Sequence, residues 1–146
     1  MSSLRKYLTQ QGYSRIALQK LKTGHYKITV GINGNSGEFI LDTGASASCI
    51  GIKEASYFKL HTEKSEAKAA GAGAIDMETH TTKNNILTLG PLVLKNREFV
   101  LFDMVHVNQA LIQAEEEKVA GIIGADLLKK LRAVIDYGRN CVYFKK

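Results

Sequence analysis

An aspartate at the end of an apolar strand is the residue of this sequence best suited to chemistry. Asp42 follows the apolar run Phe39-Ile40-Leu41 and is continued by Thr43 and Gly44. Gly44 lets the backbone come close to another group, and the Thr43 hydroxyl can be donated across an interface. Such a carboxylate can act as an acid or a base in catalysis. Alternatively, Asp42 has a structural role and forms a local hydrogen bond in the turn that ends the strand. The triplet alone leaves both interpretations open.

The remaining aspartates have contexts that predict structural roles. Asp103 also follows an apolar run, but no threonine and glycine follow it. Asp126 is placed to cap a helix, Asp136 precedes a turn, and Asp76 lies in a polar stretch. Asp42 is therefore the best candidate for a catalytic carboxylate.

The sequence carries no pattern for a metal, a nucleotide or a serine nucleophile. The histidines stand outside any HExxH or CxxC pattern: His25, His61, His80 and His106. The segment Gly71-Ala72-Gly73 lacks the Lys-Ser/Thr of a phosphate-binding loop, and no GxSxG elbow surrounds Ser46 or Ser48. We therefore expect no metal site and no cofactor.

Hydrophobic periodicity places Asp42 in a mainly-β domain. The alternation over residues 26–32 predicts a strand, residues 33–37 a hairpin turn, and residues 39–41 the returning strand. Further strands are predicted at residues 87–89, 92–94, 99–102, 133–135 and 141–144, and helices at residues 3–11, 108–118 and, capped by Asp126, up to Leu131. Many short strands with few helices indicate a mainly-β fold with a short C-terminal helix.

A second apolar segment, about 80 residues after Asp42, matches a known pattern. Ile122-Ile123-Gly124 precedes a helical pattern, and Ile40-Leu41 precedes Asp42-Thr43-Gly44-Ala45. Together the two segments resemble the retropepsin-like aspartic proteases, the family of retroviral proteases and their cellular and bacterial relatives. The resemblance spans about residues 25–146 and implies a closed-barrel acid protease domain over residues 23–146. Residues 1–22 look like the N-terminal extension of bacterial members, a short helix plus a strand.

The resemblance implies roles for the matching residues. Asp42 would be the catalytic carboxylate, and Thr43, Gly44 and Ala45 would complete the active-site loop. Thr43 would bond to the partner subunit, and Gly44 would lie beneath the substrate. Ile123-Gly124 would support this loop from behind.

The chain departs from the family pattern in two places. Ala125 stands where viral members carry an arginine that contributes to the dimer contact. The flap, whose tip the resemblance places near Gly71, Ala72 and Gly73, is rich in alanine and glycine and cannot be aligned residue by residue.

Peptide hydrolysis by aspartates needs two carboxyl groups that share one proton. One Asp-Thr-Gly therefore predicts a homodimer in which both Asp42 carboxylates activate water on a two-fold axis, an aspartic endopeptidase that acts on peptides or proteins. The alternative is a non-cleaving retropepsin-like module that binds a protein partner. Intact Asp42, Thr43 and Gly44 favour the protease.

Bulk composition fits this interpretation. Of 146 residues, 45% are hydrophobic and 23% charged, the mixture of one folded domain. Although the net charge is +6, basic residues never run beyond pairs such as Lys129-Lys130, which predicts a solvated surface and no nucleic-acid partner. No apolar span or signal core predicts a membrane partner, and Cys49 and Cys141 form no disulfide framework, so we expect a cytoplasmic protein.

Overall fold

The computed structural model describes residues 3–71 and 74–146. Its strands are, in chain order, β1 (Ser14–Ala17), β2 (Gln19–Lys20), β3 (Tyr26–Ile32), β4 (Asn35–Leu41), β5 (Cys49–Gly51), β6 (Glu63–Gly71), β7 (Ala74–Leu89), β8 (Leu92–Phe102), β9 (Gly121–Ile123), β10 (Val134–Asp136) and β11 (Cys141–Phe144). Its helices are α1 (Leu4–Gln10), α2 (Val105–Gln113) and α3 (Ala125–Lys130), and single 3-10 turns cover Ile52–Glu54 and Tyr137–Arg139.

Six strands close into a barrel in the order β3-β4-β9-β5-β8-β7. The last contact is between β7 and β3, where Gly31 lies opposite Thr88 and Ile32 opposite Leu87. The predicted mainly-β closed barrel with a short C-terminal helix is therefore confirmed.

The alternation of β3 explains why it lines this barrel. Ile28, Val30 and Ile32 are buried, whereas Thr29 between them is exposed. Successive side chains of a strand point to opposite faces, so the apolar set enters the core as a group. The same core receives Phe39 from β4.

The strand that leads to Asp42 pairs in parallel with the second apolar segment. In this pairing Phe39 lies opposite Gly121, Ile40 opposite Ile122, and Leu41 opposite Ile123. Parallel strands run in the same direction, so their carboxyl ends meet at one edge of the sheet. The loop after β4 and the start of α3 are thereby neighbours.

A second sheet, β1-β11-β10, joins both ends of the described chain. β11 is buried on both faces: Val142 and Phe144 belong to the barrel core, and Cys141 and Tyr143 pack with Leu8 of α1. Within residues 1–22, β1 thus pairs with β11, and β2 pairs with β3. The boundary between this extension and the domain remains a prediction.

β6 and β7 form a hairpin, from Glu63 opposite Thr81 to Gly71 opposite Ala74. Its strands include most of the small-residue segment that the sequence assigns to the flap. Two of the three predicted tip residues, Ala72 and Gly73, lie outside the described residues.

Four details of the sequence-based assignment were wrong. The hairpin turn predicted at residues 33–37 is shorter, because β4 already begins at Asn35. Residues 95–97 do not divide two strands, because β8 continues through them and Asn96 turns locally with a φ of 57°. The helix predicted at 108–118 begins at Val105 and ends at Gln113, since Asp103 bonds the Val105 amide with its side chain and opens the helix earlier. Gly124, not Asp126, occupies the cap of α3.

Candidate active site

The Asp42 turn is closed by three hydrogen bonds. The Asp42 amide donates to the Ile123 carbonyl at 2.9 Å, and the Ala45 amide donates to the Asp42 carbonyl at 3.2 Å. The Gly44 amide donates to Asp42 Oδ1 at 2.9 Å, which orients the carboxylate. Asp42 is half-buried, whereas Thr43 and Gly44 are exposed. One side of this turn is therefore fixed to the barrel and the other is open.

Gly124 allows α3 to approach the back of the Asp42 loop. A Cβ added there would lie 2.7 Å from the Ala45 carbonyl oxygen and 2.9 Å from that of Ala47, which is closer than real Cβ contacts. The Ala125 amide donates to the same Ala45 oxygen at 2.7 Å. The structure thus places Ile123 and Gly124 in direct contact with the loop that carries Asp42, Thr43, Gly44 and Ala45.

A buried serine and an aspartate connect the same loop to α3, and the sequence reading assigned neither to the site. Ser48 is only 1% exposed, and its hydroxyl donates to Asp126 Oδ1 at 2.7 Å. The same hydroxyl accepts the Gly124 amide at 2.9 Å. No local signal in the sequence marks Ser48 for this contact, because Ser46 in the same run is also a serine and is exposed.

Helix α2 covers the outer face of the two strands that meet at the site. Ile40 and Ile122 point away from the barrel core into a second apolar cluster, where Leu111 of α2 is also buried. Asn108 fixes α2 to the strand that follows, since its side chain bonds both the amide and the carbonyl of Val119 at 2.8 and 3.2 Å. Ala45 packs on the same cluster, so α2 contributes to the surroundings of the loop.

A cavity of about 360 Å³ lies beside α2, lined by residues that include Glu54, Asp103, Asn108 and Ile112. Asp42 does not line it. We therefore do not assign this cavity to the candidate active site.

Cys49 carries a free thiol beside the loop. Burial, followed by the negative charges of Asp126 and Asp42, raises the pKa of the Cys49 thiol to about 12. Its sulfur lies 3.3 Å from the Ala47 carbonyl oxygen, to which it donates. At neutral pH the thiol is protonated, which suits a packing role.

Neither a metal cluster nor a membrane-spanning helix is found in the described part of the chain. No three His, Cys, Asp or Glu side chains come together there as metal ligands. None of the described helices is long and apolar enough to cross a bilayer.

Solved structures with similar folds are aspartic proteases and related domains. A retropepsin-like aspartic protease from Rickettsia conorii matches with a TM-score of 0.59 and 18% identity, over 91% of this chain and 90% of that one. EIAV protease complexed with the inhibitor HBY-793 matches with a TM-score of 0.55 and 21% identity, over 75% and 90%. The retroviral protease-like domain of Ddi1 from Leishmania major matches with a TM-score of 0.56 and 17% identity, over 81% and 86%. These likenesses show the fold.

A family model described as aspartyl protease matches residues 28–127, which is more than half of the chain and includes both segments of the site. No curated protein matches. The fold and the family model agree: the chain belongs to the aspartyl protease family and has the retropepsin-like fold.

Proposed function

We propose that the protein is a homodimeric aspartic endopeptidase in which Asp42 of each subunit supplies one catalytic carboxylate. The observation that carries the proposal is the Asp42 turn, because its carboxylate is oriented by the Gly44 amide while Thr43 and Gly44 remain exposed. The rigid side of the turn faces the barrel, and the open side is free to meet a substrate and a second subunit.

Two carboxylates on a two-fold axis would share one proton. One acts as base toward water, and the other donates a proton to the carbonyl oxygen of the peptide bond. Thr43 would hydrogen-bond to the partner's loop, and Gly44 would lie beneath the substrate. Gly71, Ala72 and Gly73 would belong to the flap that covers it. No cofactor enters this chemistry.

An aromatic pair near the site, of which Tyr26 is partly buried and Tyr137 exposed, supports a partner at this end of the barrel. Tyr26 lies opposite Leu41, the residue before Asp42, and its ring is 5.4 Å from that of Tyr137. Tyr137 is 62% exposed. Aromatic side chains are enriched in protein interfaces.

The proposed compartment is the cytoplasm. The proposed partners are a second copy of the chain and a peptide or protein substrate, and neither a nucleic acid nor a membrane is proposed. The free thiols of Cys49 and Cys141 support a reducing environment.

The test is incubation of the purified protein with a proteome-derived peptide library, read by mass spectrometry beside Asp42→Asn. We expect cleavage by the wild type and loss of cleavage in the variant, with the fold and the dimer retained, because the isosteric amide removes the shared-proton pair. Residual activity above about one per cent would identify a different catalytic group, since loss of an essential acid–base residue costs orders of magnitude. A wild type that binds peptides without cutting them would indicate the non-cleaving module.

The dimer is tested by dilution. Specific activity should fall at the concentration at which sedimentation shows dissociation, because one subunit holds one carboxylate. Constant specific activity across that range would contradict the two-subunit site.

A further inference from the structure

We propose that Ser48 and Asp126 are positioning residues that hold the Asp42 loop against α3. The inference rests on the proposed function, because it concerns the geometry of the same carboxylate. Neither residue needs to touch substrate. Their effect would pass through the backbone between Asp42 and Ser48.

The buried Ser48 hydroxyl is both a hydrogen-bond donor and a hydrogen-bond acceptor. It donates to Asp126 Oδ1 at 2.7 Å and accepts the Gly124 amide at 2.9 Å. With 1% of the residue exposed, water cannot replace either partner without rearrangement. A buried amide that loses its acceptor is left unsatisfied at a cost in free energy, so the bond between Ser48 and Gly124 resists opening.

Asp126 gives this hydroxyl a fixed direction. Its Oδ1 atom also accepts the Leu127 amide at 2.8 Å, so the carboxylate that receives the Ser48 hydroxyl is itself bonded within α3. An anchored acceptor selects one rotamer of Ser48, the rotamer that can also accept from Gly124. The pair therefore acts as one unit and not as two separate bonds.

The remaining ties between loop and helix are made by the backbone. The Ala45 carbonyl accepts the Ala125 amide, and the absence of a side chain at Gly124 permits the close approach. Thr43 and Ser46 are exposed, and neither side chain has a described hydrogen bond to α3, while Gly44 has no side chain. Ser48 is thus the side chain that connects the C-terminal end of the loop to the helix.

A loop released at this end would let the Asp42 carboxylate move relative to its partner across the axis. A misplacement of about 1 Å in a catalytic group can cost about 100-fold in rate. The ground-state binding of peptide, which uses other parts of the cleft, should change much less. The expected signature is a fall in kcat at nearly constant KM.

The experiment compares Ser48→Ala, Asp126→Ala, the double variant and the conservative Asp126→Asn on one fluorogenic peptide. Active sites are titrated with a tight-binding peptidomimetic inhibitor, so kcat is expressed per folded site. We expect kcat to fall about 10- to 100-fold in both alanine variants and in the double variant, without additivity, because the pair acts as a unit. Asp126→Asn should keep most of the activity, since its carbonyl oxygen can accept from Ser48 and Leu127.

The matched control is Ser56→Ala, which removes an exposed serine hydroxyl outside the loop and should leave kcat and stability unchanged. Equal kcat per titrated site in wild type and both alanine variants would overturn the inference, even if their unfolding midpoints fell. Losses that add in the double variant, or an Asp126→Asn enzyme as poor as Asp126→Ala, would also overturn it. If Ser48→Ala does not fold, the comparison of Asp126→Ala with Asp126→Asn decides. A wild type without cleavage refutes the proposed function instead, so the two failures are distinguishable.

Discussion

Three glycines of the chain differ in the space available for a methyl group and so predict a graded alanine series. At Gly138 the nearest atom to an added Cβ is Asp136 Oδ1 at 3.5 Å, an ordinary contact. At Gly124 the added Cβ would lie 2.7 and 2.9 Å from two backbone oxygens of the Asp42 loop. At Gly121 it would overlap the Cys49 carbonyl oxygen and lie 2.6 Å from a carbon of the Phe39 ring.

These distances set the expected free energies of unfolding. Gly138→Ala should be neutral or stabilising by up to about 1 kcal/mol, because alanine reduces the entropy of the unfolded chain. Gly124→Ala must displace backbone by several tenths of an ångström and should cost about 1–3 kcal/mol, the usual range for overpacking. Gly121→Ala forces apart the strands β5 and β9 and should cost more than about 4 kcal/mol, which is most of the free energy of unfolding of a domain near the lower limit of about 5 kcal/mol.

The assay is denaturant unfolding with the slope held to its wild-type value, followed by peptide cleavage for the variants that fold. Under the proposed function, Gly124→Ala should also lose about 10- to 100-fold in kcat, because the displaced atoms belong to the loop that carries Asp42. Gly138→Ala should keep full activity. A Gly124→Ala protein with wild-type stability and activity would show that α3 does not pack against the loop as described, and the reasoning from distances would fail.

Two further predictions concern residues around the site. Asn108→Ala should lower the free energy of unfolding by about 1–3 kcal/mol, because the backbone amide and carbonyl of Val119 both lose their partner. The measurement is the shift in denaturant midpoint, and an unchanged midpoint would show that Asn108 does not fix α2. Cys49 should resist thiol reagents at pH 8 in the folded protein and react after denaturation. Because the pKa of its thiol is raised from 9.0 to about 12 in the folded protein, the contribution of Cys49 to the free energy of unfolding is complete below pH 9 and is lost as the pH rises toward 12. Cys49→Ala should flatten this alkaline loss relative to wild type, and an equal slope in both proteins would contradict the assigned pKa.

Local patterns predicted β3 and the second half of β4, the strand that leads to Asp42. The alternation from Tyr26 to Ile32 gave β3 its correct bounds, because each buried residue is separated by one outward-facing residue. The two apolar segments before Asp42 and Gly124 lie side by side in the structure. Their sequence order does not reveal a parallel pairing, but the resemblance of the two motifs to one family supplied the fold that joins them.

The parts that sequence could not predict depend on contacts between distant residues. Ser48 and Asp126 are 78 positions apart, and nothing local distinguishes a serine that bonds a helix from one that faces water. Asp126 has the residue type of a helix cap, but the Ala45 carbonyl of the loop already accepts the first amide of α3. The Asp126 side chain therefore accepts the Leu127 amide inside the helix. In the same way, α2 starts earlier than its composition suggests because the Asp103 side chain accepts the Val105 amide.

The described hydrogen bonds hold one side of the Asp42 turn and leave its other side exposed. Three bonds close it: the Ile123 carbonyl accepts the Asp42 amide from behind, the Gly44 amide donates to the carboxylate, and the Ala45 amide donates to the Asp42 carbonyl within the turn. These bonds fix Oδ1 and the backbone, whereas the Thr43 hydroxyl has no described partner in its own chain. A side chain that is exposed on an otherwise bonded turn can meet a second copy without first breaking a bond. Under the proposed function, association would therefore not need to rebuild the loop that carries the carboxylate.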